Sequence, residues 1–246
     1  KDDADAVAKA KKLIAVMPAN NISLAGNDDF AANDDVISAS MKGEALAAAI
    51  ADKNSVVELG AEFGTAAYTA IASINWATVA IVATDKAAKL TAQDCAKIAR
   101  FVQLADVFSI PVITIIDTEG FEPSSAAELA GSTRDCAKLA QVYATATTVK
   151  VNLIKGKAYG ASYTAFDSAD ISYAWENAAI APMSPEAAKV FMGDEIETTP
   201  FAAAALGMID GVIAADDTRD AVASAVEMCS GKRVLAPSRK HANFVF

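Results

Sequence analysis

The sequence predicts an α/β fold in a single domain, and its length, its composition and the order of its apolar segments support this prediction. At 246 residues the chain is long enough for one large core. Hydrophobic residues make up 53% of the chain and aromatic residues 7%, and the abundant alanine favours close packing of helices on a sheet. Strand-type and helix-type apolar runs alternate through the middle of the chain, which is typical of repeated β-α crossovers around buried strands.

The first part of the chain is predicted to contain two helices and a group of adjacent strands. The helix "DDADAVAKAKKLIAVM" begins with acidic residues and carries lysines further along, which suits the helix dipole, and Pro18 ends it. Residues 18–35 are rich in Asn, Asp and Gly and are predicted to form a loop. After a second helix, "GEALAAAIAD", the predicted strands are "SVVELG", "TAAYTAIASI" and "ATVAIVAT", with a turn at Asn75 and Trp76 before the last of them.

The rest of the chain alternates between helices and strands. The predicted order is helix "TAQDCAKIARFVQLADVF", strand "IPVITIID", helix "SSAAELAGSTRDCAKLAQVYATA" and strand "TVKVNLI", and then a helix, the short strands "ISYAWEN" and "AAIAPM", and the helices "SPEAAKVFM", "TTPFAAAALGM" and "DTRDAVASAVEMCSG". Ser184 and Pro185 are suited to begin the first of these last three helices, and Gly231 is predicted to close the third. We expect "IPVITII" and "TVKVNLI" to be buried neighbours.

Charge, hydropathy and cysteine usage exclude several classes of protein. The net charge of −10 would repel a nucleic-acid backbone, and no apolar run approaches the roughly 18 to 20 residues of a membrane-spanning helix. Cys95, Cys136 and Cys229 are far apart and odd in number, so neither a disulfide framework nor a zinc site is expected, and a reducing cytoplasm fits best. His241, the only histidine, is interpreted as a surface or interface residue, and no metal site is predicted.

Two segments of the chain share a design that suits the binding of an anion. In "VITIIDTEGFEPSSAAEL" and in "VNLIKGKAYGASYTAF", an apolar strand is followed by a loop with small residues and then by a helix start. Free backbone N–H groups converge at such a helix start, and small side chains let an oxygen atom approach closely, so an oxyanion would be stabilised. The alternative is that Gly120 and Gly160 only form tight turns between strand and helix.

Several spaced motifs resemble those of one enzyme family. The segments "FVQLADVFSIPVITIIDTEGFEPS", "RDCAKLAQVYATATTVKVNLIKGKAYGASY", "SYAWENAAIAPMSPEAA" and "APSRKHANF" are similar to the carboxyltransferase subunits of biotin-dependent acyl-CoA carboxylases and decarboxylases. The propionyl-CoA and methylmalonyl-CoA branch is the most similar. The resemblance implies a crotonase fold built from repeated β-β-α units. It also implies that residues 1–246 correspond to the second of two related halves, with the first half absent, so that the chain is an excised domain or a naturally separate subunit.

The resemblance also implies an oxyanion site for the ureido carbonyl of biotin. The donors would be the backbone N–H groups of Ala161 and Ser162, with Gly160 permitting the turn, and Gly120 and Phe121 would line the facing wall. The cofactor implied is biotin on a carrier protein, and the substrate is an acyl-CoA. A biotin carboxyl carrier protein, the N-terminal carboxyltransferase half and further copies of the chain are the partners implied.

Four further residues are predicted to contact substrate. Tyr159 lies in the motif that precedes the helix, and Thr164 stands next to the acyl pocket, where many relatives have an acidic residue. Arg239 and Lys240 belong to a basic tail that would meet a CoA phosphate or the acidic face of a biotin carrier, or would act only as a structural clamp.

Two other functions are kept as alternatives. A stand-alone hydratase or thioesterase of the crotonase type would need an acid or base near the oxyanion donors, and only Glu119, Glu122 and Glu128 lie near in sequence. A non-catalytic assembly domain would use the small residues for packing alone. The acyl group and the direction of carboxyl transfer stay open.

Overall fold

The computed structural model describes residues 2–23 and 30–235 of the chain, as a mixed sheet with helices on both faces. The helices are α1 (Asp3–Val16), α2 (Gly43–Ile50), α3 (Ala92–Val107), α4 (Ser125–Leu129), α5 (Ser132–Thr145), α6 (Gly160–Phe166), α7 (Pro185–Met192), α8 (Pro200–Ala205) and α9 (Thr218–Met228). The strands are β1 (Val57–Glu58), β2 (Tyr68–Ile74), β3 (Ala77–Ala83), β4 (Lys89–Leu90), β5 (Val112–Thr118), β6 (Gly120–Phe121), β7 (Lys150–Tyr159), β8 (Ile171–Trp175), β9 (Ala179–Ala181) and β10 (Gly211–Ile213).

The main sheet has the order β1-β2-β3-β5-β7-β8-β10, and β9 pairs with the far end of β7. The pairs β1–β2 and β2–β3 are antiparallel, and the remaining pairs are parallel. Asn75 and Trp76 both have positive φ angles, 47° and 69°, as a two-residue hairpin turn with the twist of its strands requires. The predicted turn, the predicted α/β class and the predicted pairing of "IPVITII" with "TVKVNLI" are confirmed.

Two apolar layers cover the two faces of this sheet. Because successive side chains of a strand point to opposite faces, Ala80 and Val82 of β3 join one layer, whereas Val79 and Ile81 join the other. The first layer packs against α1, α3, α5 and α6, and the second packs against α2 and α9. The central strands β5 and β7 are buried almost throughout their shared length, as expected for parallel strands covered on both faces.

The structure differs from the sequence prediction in the bounds of two helices and in three short strands. The segment predicted as one helix before β7 is two helices, because Gly131 adopts a left-handed conformation with φ of 89° and breaks the ladder between α4 and α5. The last helix ends at Met228, where the Cys229 N–H bonds to the Ala225 carbonyl, so Gly231 lies beyond the helix end. Strand β10 and the two-stranded sheet of β4 and β6 were not predicted.

Candidate functional site

The segment before α6, predicted to be a loop with small residues, is the far end of strand β7. Between the pairs Ile116 with Ile154 and Thr118 with Ala158, the strand β7 has a bulge in which residues 155–157 face the single residue Asp117. The Asp117 carboxylate accepts the Lys157 N–H at 2.9 Å and fills the space beside Gly156. A Cβ atom at position 156 would lie 2.3 Å from the nearer carboxylate oxygen, so this glycine serves a close approach inside a strand.

Gly160 makes the turn from β7 into α6. Tyr159 is extended, with φ of −114° and ψ of 136°, and Gly160 has φ of 60°, in the left-handed region that glycine favours. A Cβ atom there would also contact the Pro182 carbonyl oxygen at 3.4 Å. The N-cap residue Tyr159 makes no side-chain hydrogen bond to the helix. The first N–H groups of α6, which include those of Ala161 and Ser162, therefore have no acceptor from the N-cap side chain.

The serine and threonine hydroxyl groups of α6 are occupied within the helix. The Ser162 hydroxyl is buried and donates to the Tyr159 carbonyl oxygen at 3.0 Å, and the exposed Thr164 hydroxyl donates to the Gly160 carbonyl oxygen at 3.2 Å. Ser162 is fully buried, so its hydroxyl is not available to a ligand. Ala161 is exposed, so a ligand can reach the start of the helix beside its methyl group.

A groove of about 460 Å³ joins the two loops that the sequence analysis singled out. Ala161 and Ala165 of α6 form one side, and Phe121, Glu122 and Pro123 form part of the other. Strand β6 contacts α6, so Gly120 adjoins this wall next to Phe121. The structure thus brings together Gly160 and Ala161 with Gly120 and Phe121.

Other predicted site residues do not line this groove. Tyr159 is buried under the start of α6, and this burial raises the pKa of its hydroxyl. Thr164 faces solvent from α6 but is not among the residues that line the groove. Arg239, Lys240 and His241 lie outside the described residues.

The three glutamates considered as acid or base are divided between two places. Glu122 and Glu128 line the groove with Ala161. Glu119 instead pairs with Lys157 at 2.5 Å, and this hydrogen bond is the main reason why the pKa of Lys157 is raised. Glu119 and Lys157 border a separate polar pocket of about 350 Å³.

Sequence reasoning missed a pair of cysteines at this groove. Cys136 of α5 lines it, and its Sγ lies 3.8 Å from the Sγ of Cys95 on the neighbouring helix α3. These two cysteines are far apart along the chain but are neighbours in the structure, because α3 and α5 pack against each other. Both cysteines stand in the same tetrapeptide, Asp-Cys-Ala-Lys, and this shared pattern was the signal available in the sequence.

Residues 2–23 and 30–235 contain neither a metal-binding cluster nor a membrane-spanning helix. No group of three or more histidine, cysteine or acidic side chains there could hold a metal ion. No helix in these ranges is long and apolar enough to cross a membrane.

Comparison with known proteins identifies the family. The model of the carboxyl transferase domain matches residues 1–196. The chain belongs to the carboxyl transferase domain family. It is 35% identical to the methylmalonyl-CoA carboxyltransferase 12S subunit of Propionibacterium freudenreichii subsp. shermanii, with 99% of this chain and 54% of the relative covered. It is 30% identical to the methylmalonyl-CoA decarboxylase subunit alpha of Veillonella parvula, with 97% and 53% covered.

Solved structures of carboxyltransferases share the fold. A transcarboxylase 12S crystal structure with hydrolysed methylmalonyl-coenzyme A bound matches all of this chain and 55% of that one, with a TM-score of 0.89 and 34% identity. The beta subunit of geranyl-CoA carboxylase from P. aeruginosa, at 20% identity and a TM-score of 0.73, shares the fold alone. The predicted crotonase-like fold and the predicted family are confirmed. The chain spans about half the length of the curated relatives it matches.

Proposed function

We propose that this chain is the biotin-binding half of a carboxyltransferase that moves a carboxyl group between carboxybiotin and the α-carbon of an acyl-CoA. The observation that carries the proposal is the groove between Phe121 and Ala161, which joins the two loops at the start of α6. Membership of the carboxyl transferase domain family supports the reaction class. The chain spans about half of its relatives, so we propose that it corresponds to the C-terminal half and acts with an N-terminal half.

The groove residues fit the ring system of biotin. Phe121, Pro123, Ala161 and Ala165 offer apolar walls to a flat bicyclic group, and about 460 Å³ is space enough to hold one. The uncapped N–H groups at the start of α6 suit a ureido carbonyl oxygen. Carrier-bound biotin supplies the ureido nitrogen that holds the carboxyl group.

The residues of this chain have distinct tasks in the proposed site. The backbone N–H groups of Ala161 and Ser162 stabilise negative charge on the ureido oxygen, as preorganised donors do in other oxyanion sites. Gly160 sets their direction through its left-handed turn, and the Ser162 hydroxyl fixes the helix start by its bond to the Tyr159 carbonyl. Phe121 excludes water from the opposite side, which strengthens those hydrogen bonds.

Further contacts follow from the same proposal. Tyr159 would support the turn from beneath, and Thr164 would face the acyl group that the N-terminal half brings. Arg239 and Lys240 would bind a CoA phosphate or the acidic face of the biotin carrier, in which case the Michaelis constants rise with salt. Replacing both by alanine then raises those constants, whereas a structural clamp would change only stability or assembly.

We also propose self-association through the exposed apolar surface of α7 and α8. Val190 and Phe191 of α7 are 81% and 80% exposed, and Phe201 and Leu206 are 61% and 78% exposed. So much exposed apolar surface is typical of an interface. The related 12S protein is described as a hexamer that forms a multienzyme core, which supports assembly of this chain with a carrier and with other copies.

The three cysteines are free, which is consistent with a reducing compartment such as the cytoplasm.

Ala161 offers a direct test of the oxyanion role. We would replace Ala161 by valine in the complete assembly, with Ala161→Gly as the matched control, and measure carboxyl exchange between biotin and a malonyl-type CoA. The exposed position tolerates valine without overpacking the core, but the branched side chain obstructs approach to the N–H groups. We expect Ala161→Val to lower kcat by about 10²-fold or more, as loss of one oxyanion donor does.

The control and the assembly state make the result decisive. Ala161→Gly leaves the approach open and is expected to keep exchange close to the starting value. If Ala161→Val assembles normally and exchanges carboxyl groups at the unchanged rate, α6 has a packing role only and the oxyanion assignment is wrong. Absence of exchange in every form of the complete assembly, the unaltered one included, would refute the proposed function itself.

A further inference from the structure

Helices α3 and α5 hold two thiols in contact across their packed faces. The Sγ atoms of Cys95 and Cys136 lie 3.8 Å apart, and neither cysteine is in a disulfide. Cys95 is fully buried in the apolar layer, whereas Cys136 is partly exposed and lines the groove beside Ala161. One sulfur of the pair is therefore accessible to a small molecule, and the other is within reach only of its neighbour.

The hydrogen bond between the sulfurs makes them chemically different. The hydrogen bond with Cys95 lowers the pKa of Cys136, although burial and the nearby Asp135 carboxylate act in the opposite direction. The same hydrogen bond, together with burial, raises the pKa of Cys95. Thiolate therefore forms first at Cys136, which is also the sulfur that the groove exposes.

We propose that Cys136 is a modification site for small neutral peroxides and that Cys95 is its resolving thiol. The reaction needs neither biotin nor an acyl-CoA, so it stands independently of the carboxyl transfer proposed above. Its product is a reversible disulfide between α3 and α5, next to the candidate biotin groove.

The proposed reaction proceeds in two balanced steps. The Cys136 thiolate attacks one peroxide oxygen, the O–O bond breaks, and the leaving hydroxide takes a proton from solvent to become water, which leaves a sulfenic acid on Cys136. The Cys95 sulfur then attacks the Cys136 sulfur, the S–O bond breaks, and the departing hydroxide takes the Cys95 proton to form a second water. Two thiols are oxidised by two electrons, and hydrogen peroxide is reduced to two waters.

The charge at the groove selects among oxidants. Glu122 and Glu128 line the same groove as Cys136, and Asp135 precedes it on α5. These carboxylates repel anionic disulfides such as oxidised glutathione, whereas neutral hydrogen peroxide is not affected.

Forming the disulfide in the second step brings the sulfurs from 3.8 Å to a bond of about 2.05 Å, so the side chains move by about 1.7 Å.

The 246-residue chain itself provides the test and an internal control. Reduced protein is treated with hydrogen peroxide, quenched with an alkylating agent and analysed by intact mass and by peptide mapping, with oxidised glutathione in a parallel sample. Cys229, which is half-buried directly after the end of α9 and has its pKa raised by burial, is the internal reference. The variants are Cys95→Ala, Cys136→Ser and Cys229→Ser.

Each form of the protein has a defined expected result. Wild type and Cys229→Ser lose two hydrogens, give a linked peptide containing both Cys95 and Cys136, and recover with dithiothreitol. Cys95→Ala accumulates a sulfenic acid at Cys136, because the resolving thiol is gone, and Cys136→Ser forms no internal disulfide. Before oxidation, alkylation of Cys136 in the wild type is faster than that of Cys229 by on the order of tenfold, as expected from its thiolate character.

Three results would overturn the proposal. The first is wild-type protein that forms no linked peptide with hydrogen peroxide. The second is Cys136 alkylated no faster than Cys229, which needs no variant and so is independent of any folding defect in Cys95→Ala. The third is glutathione attached to Cys136 as rapidly as the disulfide forms with peroxide, which would show that the groove does not select neutral oxidants.

Discussion

Replacing Lys155 by methionine should destabilise the fold strongly, because the change leaves a buried carboxylate without its cation. Lys155 and Asp85 form an ion pair at 3.0 Å, and their side chains are 3% and 0% exposed. The Lys155 ammonium also donates to the Met41 carbonyl and lies 5.6 Å from the centre of the Trp175 ring. The Asp85 carboxylate also accepts the N–H of Gly43 at the start of α2, at 3.0 Å to each oxygen.

The magnitude follows from the burial of both charges. Removing one partner of a buried pair costs about 3 to 5 kcal/mol, and the retained Gly43 hydrogen bonds place Lys155→Met near the lower end, at about 3 kcal/mol. With a urea m-value of about 3 kcal/mol/M for a chain of this size, the unfolding midpoint should fall by about 1 M. Lys53→Met is the matched control, because Lys53 is 48% exposed and pairs with Asp34 at 3.5 Å on the surface. Its midpoint should fall by less than about 0.3 M.

A double variant separates the ion pair from simple loss of packing. Asp85→Asn keeps an acceptor for Gly43 but removes the charge, so Lys155→Met combined with Asp85→Asn leaves no buried charge unpaired. The double variant should therefore cost clearly less than the sum of the two single variants. A midpoint for Lys155→Met no lower than that of Lys53→Met, or strict additivity in the double variant, would refute this account.

Three further predictions concern the bulge, a buried lysine and the apolar surface. Gly156→Ala should cost about 1 to 3 kcal/mol, because its Cβ meets the Asp117 carboxylate, and Asp117→Ala in the same chain should recover part of that loss in urea unfolding. Burial lowers the pKa of Lys150, so the native state binds fewer protons than the unfolded chain and the contribution of this lysine to stability rises as pH increases toward about 10.4. Lys150→Met should therefore lose stability relative to wild type as pH rises, and a difference in urea midpoints that stays constant with pH would contradict this. Phe191→Asp should weaken self-association by about 2 kcal/mol, or roughly 30-fold in Kd, when measured by sedimentation, whereas Ile14→Asp on the equally exposed face of α1 should have no effect.

The parts of the fold that the sequence predicts are those fixed by local patterns. The apolar runs of β3, β5 and β7 are long enough to be recognised as strands, and the hairpin at Asn75 and Trp76 is specified by two adjacent residues. Strand β10 could not be predicted in this way, because "GVI" is three half-buried residues that become a strand only by pairing with β8. The same holds for β4 and β6, each of which has two residues.

Residues of both segments that the sequence pointed to line one groove, but the conformation of the second segment was not predicted. The two loops were predicted from their small residues, and the structure places Phe121 and Ala161 across one groove. Cys136 was not assigned to that groove, because its position depends on how α5 packs against α3. The spacing of residues along the chain does not reveal how these helices pack. The repeated Asp-Cys-Ala-Lys tetrapeptide indicates only that each helix carries a cysteine between the same neighbouring residues.

The segment before α6 shows why glycine spacing alone was an insufficient guide. Gly156 is needed because Asp117, on another strand, occupies the space of its side chain, whereas Gly160 is needed because its own backbone is left-handed. Between them the chain remains a strand that pairs with β9, so α6 begins at the end of a fixed support and not in a free loop. The N–H group of Ala161 is therefore held at the end of the same strand whose Lys155 is paired in the core. A change at Lys155 that loosens β7 should consequently lower the rate of carboxyl exchange before it unfolds the chain. The ratio of the loss of exchange rate to the loss of stability then measures how rigidly β7 holds α6 in position.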